Sequence, residues 1–171
     1  MCFTEVKRIH CLRLGEYQGL PILWRLLEAK EEGFLLLLSQ FCLEQKRFDE
    51  YSNRWEYSEL RRWLNSNFYE VAFTLEEKSF MLPYEGDKVN LLSEEEIRKY
   101  FPSEPERQAT FANDNRAWWW LRSNYPNTDN VVCVYYNGDI CNSIINYTSG
   151  AVRPIIYLSK DVEKFLEPEE V

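Results

Sequence analysis

The sequence predicts one domain, residues 1–171, that mixes antiparallel strands with a few helices, and three stretches carry this prediction. Residues 22–39 are two short apolar runs around a Glu-Glu-Gly turn, the pattern of a β-hairpin. Residues 55–73 repeat apolar side chains at helical spacing. Asn137-Gly138 is the strongest hairpin-turn signal in the chain. A chain of 171 residues has the size of one domain with one sizeable core.

The helix predicted within residues 55–73 has a continuous apolar stripe. Its members recur at spacings of three and four residues, so they lie on one helical face, and this pattern favours packing against a sheet. They are Leu60, Trp63, Leu64, Phe68 and Val71.

Two further helices are predicted from capping boxes, in which a Ser or Thr precedes a Glu by three residues. Thr74 and Glu77 form the first box, and Ser93 and Glu96 form the second. Glutamates cluster at the start of the second helix and basic residues at its end. This arrangement matches the helix dipole, so the glutamates are explained without a bound metal ion.

The C-terminal half is predicted to hold strands at residues 118–123 and 152–158 on either side of the Asn137-Gly138 hairpin. Because side chains alternate along a strand, Trp118 and Trp120 share one face and Trp119 points to the other. Trp119 is therefore either a second core residue or a surface platform. Residues 103–117 show no sustained period and predict a long surface loop.

The cysteine pattern predicts reduced thiols. The five cysteines are odd in number and form no C-x-x-C pair. If Asn137-Gly138 is a two-residue loop, Val134 faces Cys141 and Cys133 faces Asn142, so the two thiols point to opposite sides of the ribbon. A disulfide between them would require a different turn.

Charge and composition narrow the classes of partner. The net charge is −8, so we expect no basic surface of the kind that binds nucleic acids or anionic membranes. No stretch approaches the length of a membrane-spanning helix, and we expect a cytoplasmic protein. His10 is the single histidine, which excludes a multi-histidine metal centre and makes a Ser-His-Asp relay depend on an N-terminal residue.

Two polar stretches, residues 123–130 and 142–150, have the composition of recognition loops. They combine Tyr, which brings rigid amphipathic area, with Asn and Ser, which bring adaptable hydrogen bonds. The same residues are equally typical of ordinary turns. The candidate ligand-binding residues are Trp119, Arg122, Tyr125, Asn127, Asp129, Asn142, Asn146 and Tyr147, and the candidate structural residues are Trp55, Trp63, Trp118, Trp120 and Arg153.

Several motifs occur together in a fixed order. They are LGEYQGLPILWRLL, FLLLLSQ, WEYSELRRWLNSNFYEVAFTLEEK, NLLSEEEIRKYF, WWLRS, the Asn-Gly-Asp hairpin and GAVRP. In this order they resemble the domain of unknown function 6273 family of bacterial proteins, over residues 14–158, leaving residues 159–171 as an acidic tail. The resemblance implies an α+β, C-type lectin-like fold related to the formylglycine-generating enzymes. Two or three helices would pack on short antiparallel sheets beside a loop-rich C-terminal half.

The resemblance carries no assigned activity, so three classes of function stay open. The first is a non-catalytic recognition module that binds a protein, peptide or glycan through three C-terminal-half loops, residues 103–117, 123–130 and 142–150. The second is a structural or interaction domain without a dedicated ligand, and the third is an enzyme that uses carboxylates or a cysteine. We assign no catalytic residue, metal or cofactor, although four loop aspartates have the oxygen chemistry of a calcium site. They are Asp87, Asp114, Asp129 and Asp139.

Overall fold

The computed structural model describes residues 11–165. The inferences about His10 and about residues 166–171 of the acidic tail lie outside the described residues. Within residues 11–165 the fold is a mixed α/β arrangement of antiparallel sheets with few helices. No helix in this range is long and apolar enough to cross a membrane.

The first sheet confirms the predicted 22–39 hairpin, because its two long strands are joined at the Glu-Glu-Gly turn. All of its described pairings are antiparallel, in the order β1-β2-β3-β13-β5, with β6 also paired to β13. The strands are β1 (Leu12–Tyr17), β2 (Leu20–Lys30), β3 (Phe34–Ser39), β5 (Met81–Leu82), β6 (Val89–Asn90) and β13 (Ile155–Ser159).

The second sheet is built mostly from the C-terminal half and has the order β11-β10-β9-β12-β4. Its pairings are antiparallel except between β12 and β9, which run parallel. Its strands are β4 (Glu44–Gln45), β9 (Trp119–Asn124), β10 (Asn130–Val134), β11 (Ile140–Ile144) and β12 (Ala151–Val152). A two-stranded ribbon of β7 (Ala109–Thr110) and β8 (Arg116–Ala117) completes the strands described.

The three consecutive tryptophans divide between two cores, as their alternation predicts. Trp118 and Trp120 lie in the core that also holds Trp24 and the helix residues, and their rings meet edge to face with centroids 4.7 Å apart. Trp119 lies in the second core, with Leu36 and Val132. All three are buried because β9 is covered on both faces.

The helices are short, and both predicted capping boxes are present. Thr74 accepts from the Glu77 backbone N–H at 3.2 Å, and Ser93 accepts from the Glu96 backbone N–H at 3.1 Å. The α-helices are α1 (Glu59–Trp63), α2 (Tyr69–Ala72), α3 (Leu75–Phe80), α4 (Glu94–Tyr100) and α5 (Glu104–Arg107). Single 3-10 turns span Trp55–Tyr57 and Lys160–Lys164.

A π-helical turn, Leu64–Phe68, joins α1 to α2. Because of this turn, the prediction is wrong for one member of the apolar stripe. Val71 is exposed and Ala72 is buried in its place. The wider turn adds one residue to the helical repeat, so the face that meets the core moves forward by one position. Trp63 lies beside the rings of Tyr17 and Phe68, with centroids 6.0 and 5.4 Å away.

Residues 103–117 are more ordered than the predicted long loop. They contain α5 and the β7–β8 ribbon. At the start of α5, the Ser103 backbone N–H and the Ser103 hydroxyl both donate to Glu106 Oε2, at 3.1 and 2.7 Å. The Ser-x-x-Glu spacing that precedes such a helix is present in the sequence, but the turn-forming residues around it favoured the prediction of a loop.

The predicted two-residue loop at Asn137-Gly138 is wrong. The Tyr135 N–H donates to the Asp139 carbonyl at 2.8 Å, so three residues form the loop and Gly138 takes the left-handed conformation at φ +92°. A three-residue loop of this kind ends on a glycine bulge. The register therefore moves by one residue, and Cys133 lies directly opposite Cys141.

The predicted strand at residues 152–158 is divided between the two sheets. Residues up to Val152 pair in the second sheet, and residues from Ile155 pair in the first. Arg153 and Pro154 make the crossing. The buried Arg153 guanidinium donates from Nε to the Ser39 carbonyl at 2.9 Å and from Nη2 to the Gln40 carbonyl at 3.1 Å.

We predict that Gly138→Ala destabilises the protein by about 3 kcal/mol, because it combines left-handed strain with a backbone clash. A Cβ atom at Gly138 would stand 1.9 Å from the Glu104 carbonyl oxygen. Gly33, at φ +95°, has no atom within 4 Å of its Cβ position. Gly33→Ala is thus a control for strain alone, worth about 1 kcal/mol. Urea unfolding measures both, and equal losses would contradict the close approach of α5 to the turn.

Candidate functional site

Trp119 is a second core residue, which is one of the two alternatives that the sequence left open, and it is not a surface platform. Its side chain is fully buried, and its indole N–H donates to the Arg107 carbonyl at 3.1 Å. The Arg153 guanidinium lies over its ring, 5.0 Å from the centroid. With both ring faces enclosed in the second core, Trp119 offers no area to a ligand.

The two polar loops of the C-terminal half meet at one end of the β10–β11 hairpin. The Asn130 amide donates to the Asn142 side-chain oxygen at 2.7 Å, and this bond ties the two loops together. The Asn53 amide donates to the Thr128 carbonyl at 2.8 Å and to the Asn130 carbonyl at 3.2 Å. The segment before the first 3-10 turn therefore joins the same end.

Residues 103–117 lie at the other end of that hairpin. Arg107 Nε donates to the Gly138 carbonyl at 2.8 Å, and the Gln108 amide donates to the Asn137 carbonyl at 3.1 Å. The five residues of β10 separate the two ends by about 15 Å. Two of the three predicted recognition loops thus converge, and the third does not.

The converging loops and the turn that precedes Asn53 present four large exposed side chains, which we call the loop face. They are Tyr51, Tyr125, Ile144 and Tyr147, with exposed fractions of 87%, 41%, 46% and 52%. The predicted candidates Asn127, Asp129, Asn142 and Asn146 are exposed on the same loops.

Tyr51 belongs to the loop face, and no pattern in the sequence predicts this position. The Phe48 and Asp49 backbone N–H groups donate to the Ile145 carbonyl at 2.9 and 3.2 Å, which places the following turn beside β11. The Asp49 carboxylate then accepts from the Tyr51 and Ser52 backbone N–H groups, both at 2.7 Å. These bonds fix the turn that presents Tyr51.

An open cleft of about 350 Å³ adjoins the loop face, and we call it the polar cleft. Three of the motifs identified in the sequence supply most of its walls: the tryptophan-rich helix motif, the NLLSEEE motif and the WWLRS motif. Ser123 lines the cleft and lies two residues before Tyr125 of the loop face. Trp55 also lines the cleft and lies two residues after Asn53, which binds the same loop, so the cleft borders the loop face. The lining residues are Trp55, Glu56, Arg61, Glu85, Asp87, Asn90, Arg122 and Ser123.

The buried Asp87 carboxylate organises one wall of the polar cleft. Arg61 Nε donates to its two oxygens at 2.9 and 3.0 Å, and Arg61 Nη2 lies 2.8 Å from Oδ1. The Trp55 indole N–H donates to Asp87 Oδ2 at 3.0 Å. Asp87, which we considered for calcium, therefore has its oxygens occupied by an arginine and a tryptophan.

Arg122 also lines the polar cleft and is held by Glu96. Arg122 Nη1 donates to Glu96 Oε2 at 2.6 Å, and Nη2 donates to Oε1 at 3.1 Å. Nη1 also donates to the Leu91 carbonyl at 2.6 Å, and the Tyr84 hydroxyl donates to Glu96 Oε1 at 2.6 Å. Arg122 is thus tied to the start of α4, and its charge is already compensated.

Glu96 titrates in an environment with opposing influences. Burial alone would raise its pKa, but the hydrogen bonds from Arg122, Tyr84 and the Ser93 backbone hold the pKa below its ordinary value. Burial and the bond to Glu96 raise the pKa of the Tyr84 hydroxyl. Glu96 is therefore ionised at neutral pH and Tyr84 is not, which favours a stable ion pair over proton transfer.

Two other kinds of site have less support. Within residues 11–165, no three His, Cys, Asp or Glu side chains come close enough together to hold a metal ion. A second groove, of about 200 Å³, lies beside Leu20, Phe41 and Phe111. Its lining contains no charged residue and is mostly apolar, with Tyr17, Gln18 and Asn113 as its polar side chains besides Cys42.

We predict that Glu96→Gln lowers the free energy of unfolding by about 2–3 kcal/mol at pH 7, because it leaves Arg122 without its counter-charge. A folded-state pKa below the ordinary 4.5 means that the ion pair stabilises the protein above pH 4.5 and is lost as the pH falls through the folded value. The difference between wild type and variant should therefore shrink below pH 4.5.

The matched control is Glu95→Gln, on an exposed side chain of the same helix. It should change stability by less than about 0.5 kcal/mol. Urea unfolding between pH 3 and 7 measures all three proteins, and a difference that is constant with pH would contradict the role of the Glu96 charge.

Comparison with known proteins places the chain in a family. A family model described as a domain of unknown function, DUF6273, matches residues 32–160. This range contains every residue of the polar cleft and the whole loop face. No curated protein and no solved structure matches the chain. Because the model covers well over half of the 171 residues, the chain belongs to the domain of unknown function 6273 family.

Proposed function

We propose that this protein is a non-catalytic recognition module whose binding surface is the loop face together with the polar cleft. The observation that carries this proposal is the convergence of two Tyr- and Asn-rich loops beside a cleft walled by three of the family motifs. Exposed aromatic and apolar side chains grouped at one end of a domain are typical of an interaction site.

The charges of the polar cleft favour a neutral ligand or one with positive groups. Both arginines are neutralised within the fold, Arg61 by Asp87 and Arg122 by Glu96. Glu56 and Glu85 are exposed on the rim of the cleft. A carboxylate or phosphate would find no uncompensated guanidinium there and would be repelled by the rim. Hydroxyl-rich glycans and neutral or basic peptides fit this pattern.

The loop face supplies a different kind of contact from the cleft. Tyrosine rings pack against the apolar faces of a sugar or a peptide, while the phenol hydroxyls remain free to form hydrogen bonds. Asn127, Asn142 and Asn146 lie exposed around these rings and offer both donors and acceptors. The combination favours extended ligands that touch several loops at once.

The wider setting of the module is also part of the proposal. The family resemblance implies a C-type lectin-like architecture in a bacterial protein, and we place this protein in the cytoplasm. The antiparallel sheets and the loops between residues 123 and 150 support that architecture. In it, the sheets would serve as the rigid support and the loops as the variable recognition surface.

We predict that Tyr147→Ala weakens ligand binding about 10-fold without loss of folding, because truncating an aromatic contact at an interface costs about 1–2 kcal/mol. The measurement is a screen of neutral oligosaccharides and short peptides, followed by titration of the strongest binder against each variant. Tyr125→Ala should act in the same direction.

The matched control is Tyr135→Ala. Tyr135 has nearly the same exposure, 49%, but lies at the turn end of the hairpin, away from the loop face. An equal loss of affinity in Tyr135→Ala would contradict the location of the site. If no member of the panel binds, a structural or interaction domain without a dedicated ligand replaces the recognition module as the proposed function.

A further inference from the structure

Cys133 and Cys141 form a close pair of thiols that the proposed recognition site does not use. They lie directly opposite each other on β10 and β11, and their sulfur atoms are 3.1 Å apart. A disulfide bond requires about 2.05 Å between the sulfurs. Each sulfur would have to move by only about 0.5 Å to reach that length.

The two thiols differ in access. Cys133 lies on β10, between β9 and β11, and is buried in the core that also holds Trp24. Cys141 is partly exposed on β11, the edge strand of the second sheet. A reagent from solution therefore reaches Cys141 first. The hydrogen bond between the two sulfurs lowers the pKa of Cys141 and, together with burial, raises the pKa of Cys133.

The other described cysteines lack this arrangement. Cys42 is buried, and burial raises its pKa to about 12. Cys11 is half-buried, its thiol lies 3.7 Å from Gln40 Oε1, and burial raises its pKa as well. A thiol with a raised pKa holds little thiolate at neutral pH and reacts slowly.

We propose that Cys133 and Cys141 are a dithiol site that low-molecular-weight disulfides oxidise to an intramolecular disulfide. The Cys141 thiolate attacks one sulfur of the oxidant, a mixed disulfide forms, and one thiolate leaves. The Cys133 thiol then gives up its proton and attacks the Cys141 sulfur, and the second thiol leaves. The protein loses two protons and two electrons, and the oxidant takes them up and is reduced to two thiols.

Oxidation would join the two strands in the middle of the hairpin. At one end this hairpin carries the turn that contacts Arg107, and at the other it carries Ile144 of the loop face. Because Cys133 and Cys141 are already in register, the bond would leave the pairing of β10 and β11 unchanged. The site therefore accepts oxidation without unfolding.

The test uses the full chain, reduced and then incubated with oxidised glutathione, followed by alkylation of free thiols, trypsin digestion and mass spectrometry. Trypsin cuts after Arg122, and because Pro154 follows Arg153, the next cut is after Lys160. Both cysteines therefore leave in one peptide, residues 123–160. We expect this peptide to lose about 2 Da and to carry no alkyl group, while Cys42 stays alkylated.

Variants assign the order of the steps. Cys133→Ala should accumulate a lasting glutathione adduct on Cys141, because the second thiol is missing, and Cys11→Ser should behave as wild type. A wild-type peptide that keeps two alkylated thiols, or that retains a glutathione adduct, would overturn the proposal. The wild-type result stands by itself if Cys133→Ala does not fold.

Discussion

The two sheets are held together where the chain crosses between them, and the buried Arg153 makes that crossing possible. The strand segments on either side of it, β12 and β13, belong to different sheets. Arg153 binds the carbonyls of Ser39 and Gln40 at the end of β3 and stacks on Trp119 of β9. Burial lowers its pKa to about 10, so it remains charged at neutral pH and requires these acceptors. One side chain thus fixes the position of β9 against β3.

The position of β9 in turn determines the candidate site. Its first residues are enclosed on both faces, which explains why Trp119 contributes to the core and not to a surface. Its far end carries Arg122, whose pairing with Glu96 attaches α4 to the sheet. The chain then enters the loop of Tyr125. The polar cleft and the loop face are therefore neighbours because both begin at the same end of one strand.

Local signals in the sequence predicted the local structure well. The 22–39 hairpin, the capping boxes and the alternation of the tryptophans depend on neighbouring residues, and the structure has all three. The π-helical turn and the three-residue hairpin loop differ from the expected forms by a single residue, and tertiary packing decides between such close alternatives. The polar cleft could not be predicted, since Arg61 and Asp87 are 26 residues apart and no periodicity connects them.

The arginines at the candidate site are both paired with carboxylates, so in the proposed function they would not favour anions. A guanidinium that is held by a buried carboxylate acts as a rigid wall with a fixed position, and its remaining surface is planar and weakly hydrated. Arg61 is held in this way by Asp87, whose second oxygen also orients Trp55. The cleft thereby combines flat, immobile surfaces with exposed carboxylates at the rim. In the proposed recognition role, shape and hydrogen bonding would then select among neutral and basic ligands beside the tyrosines of the loop face.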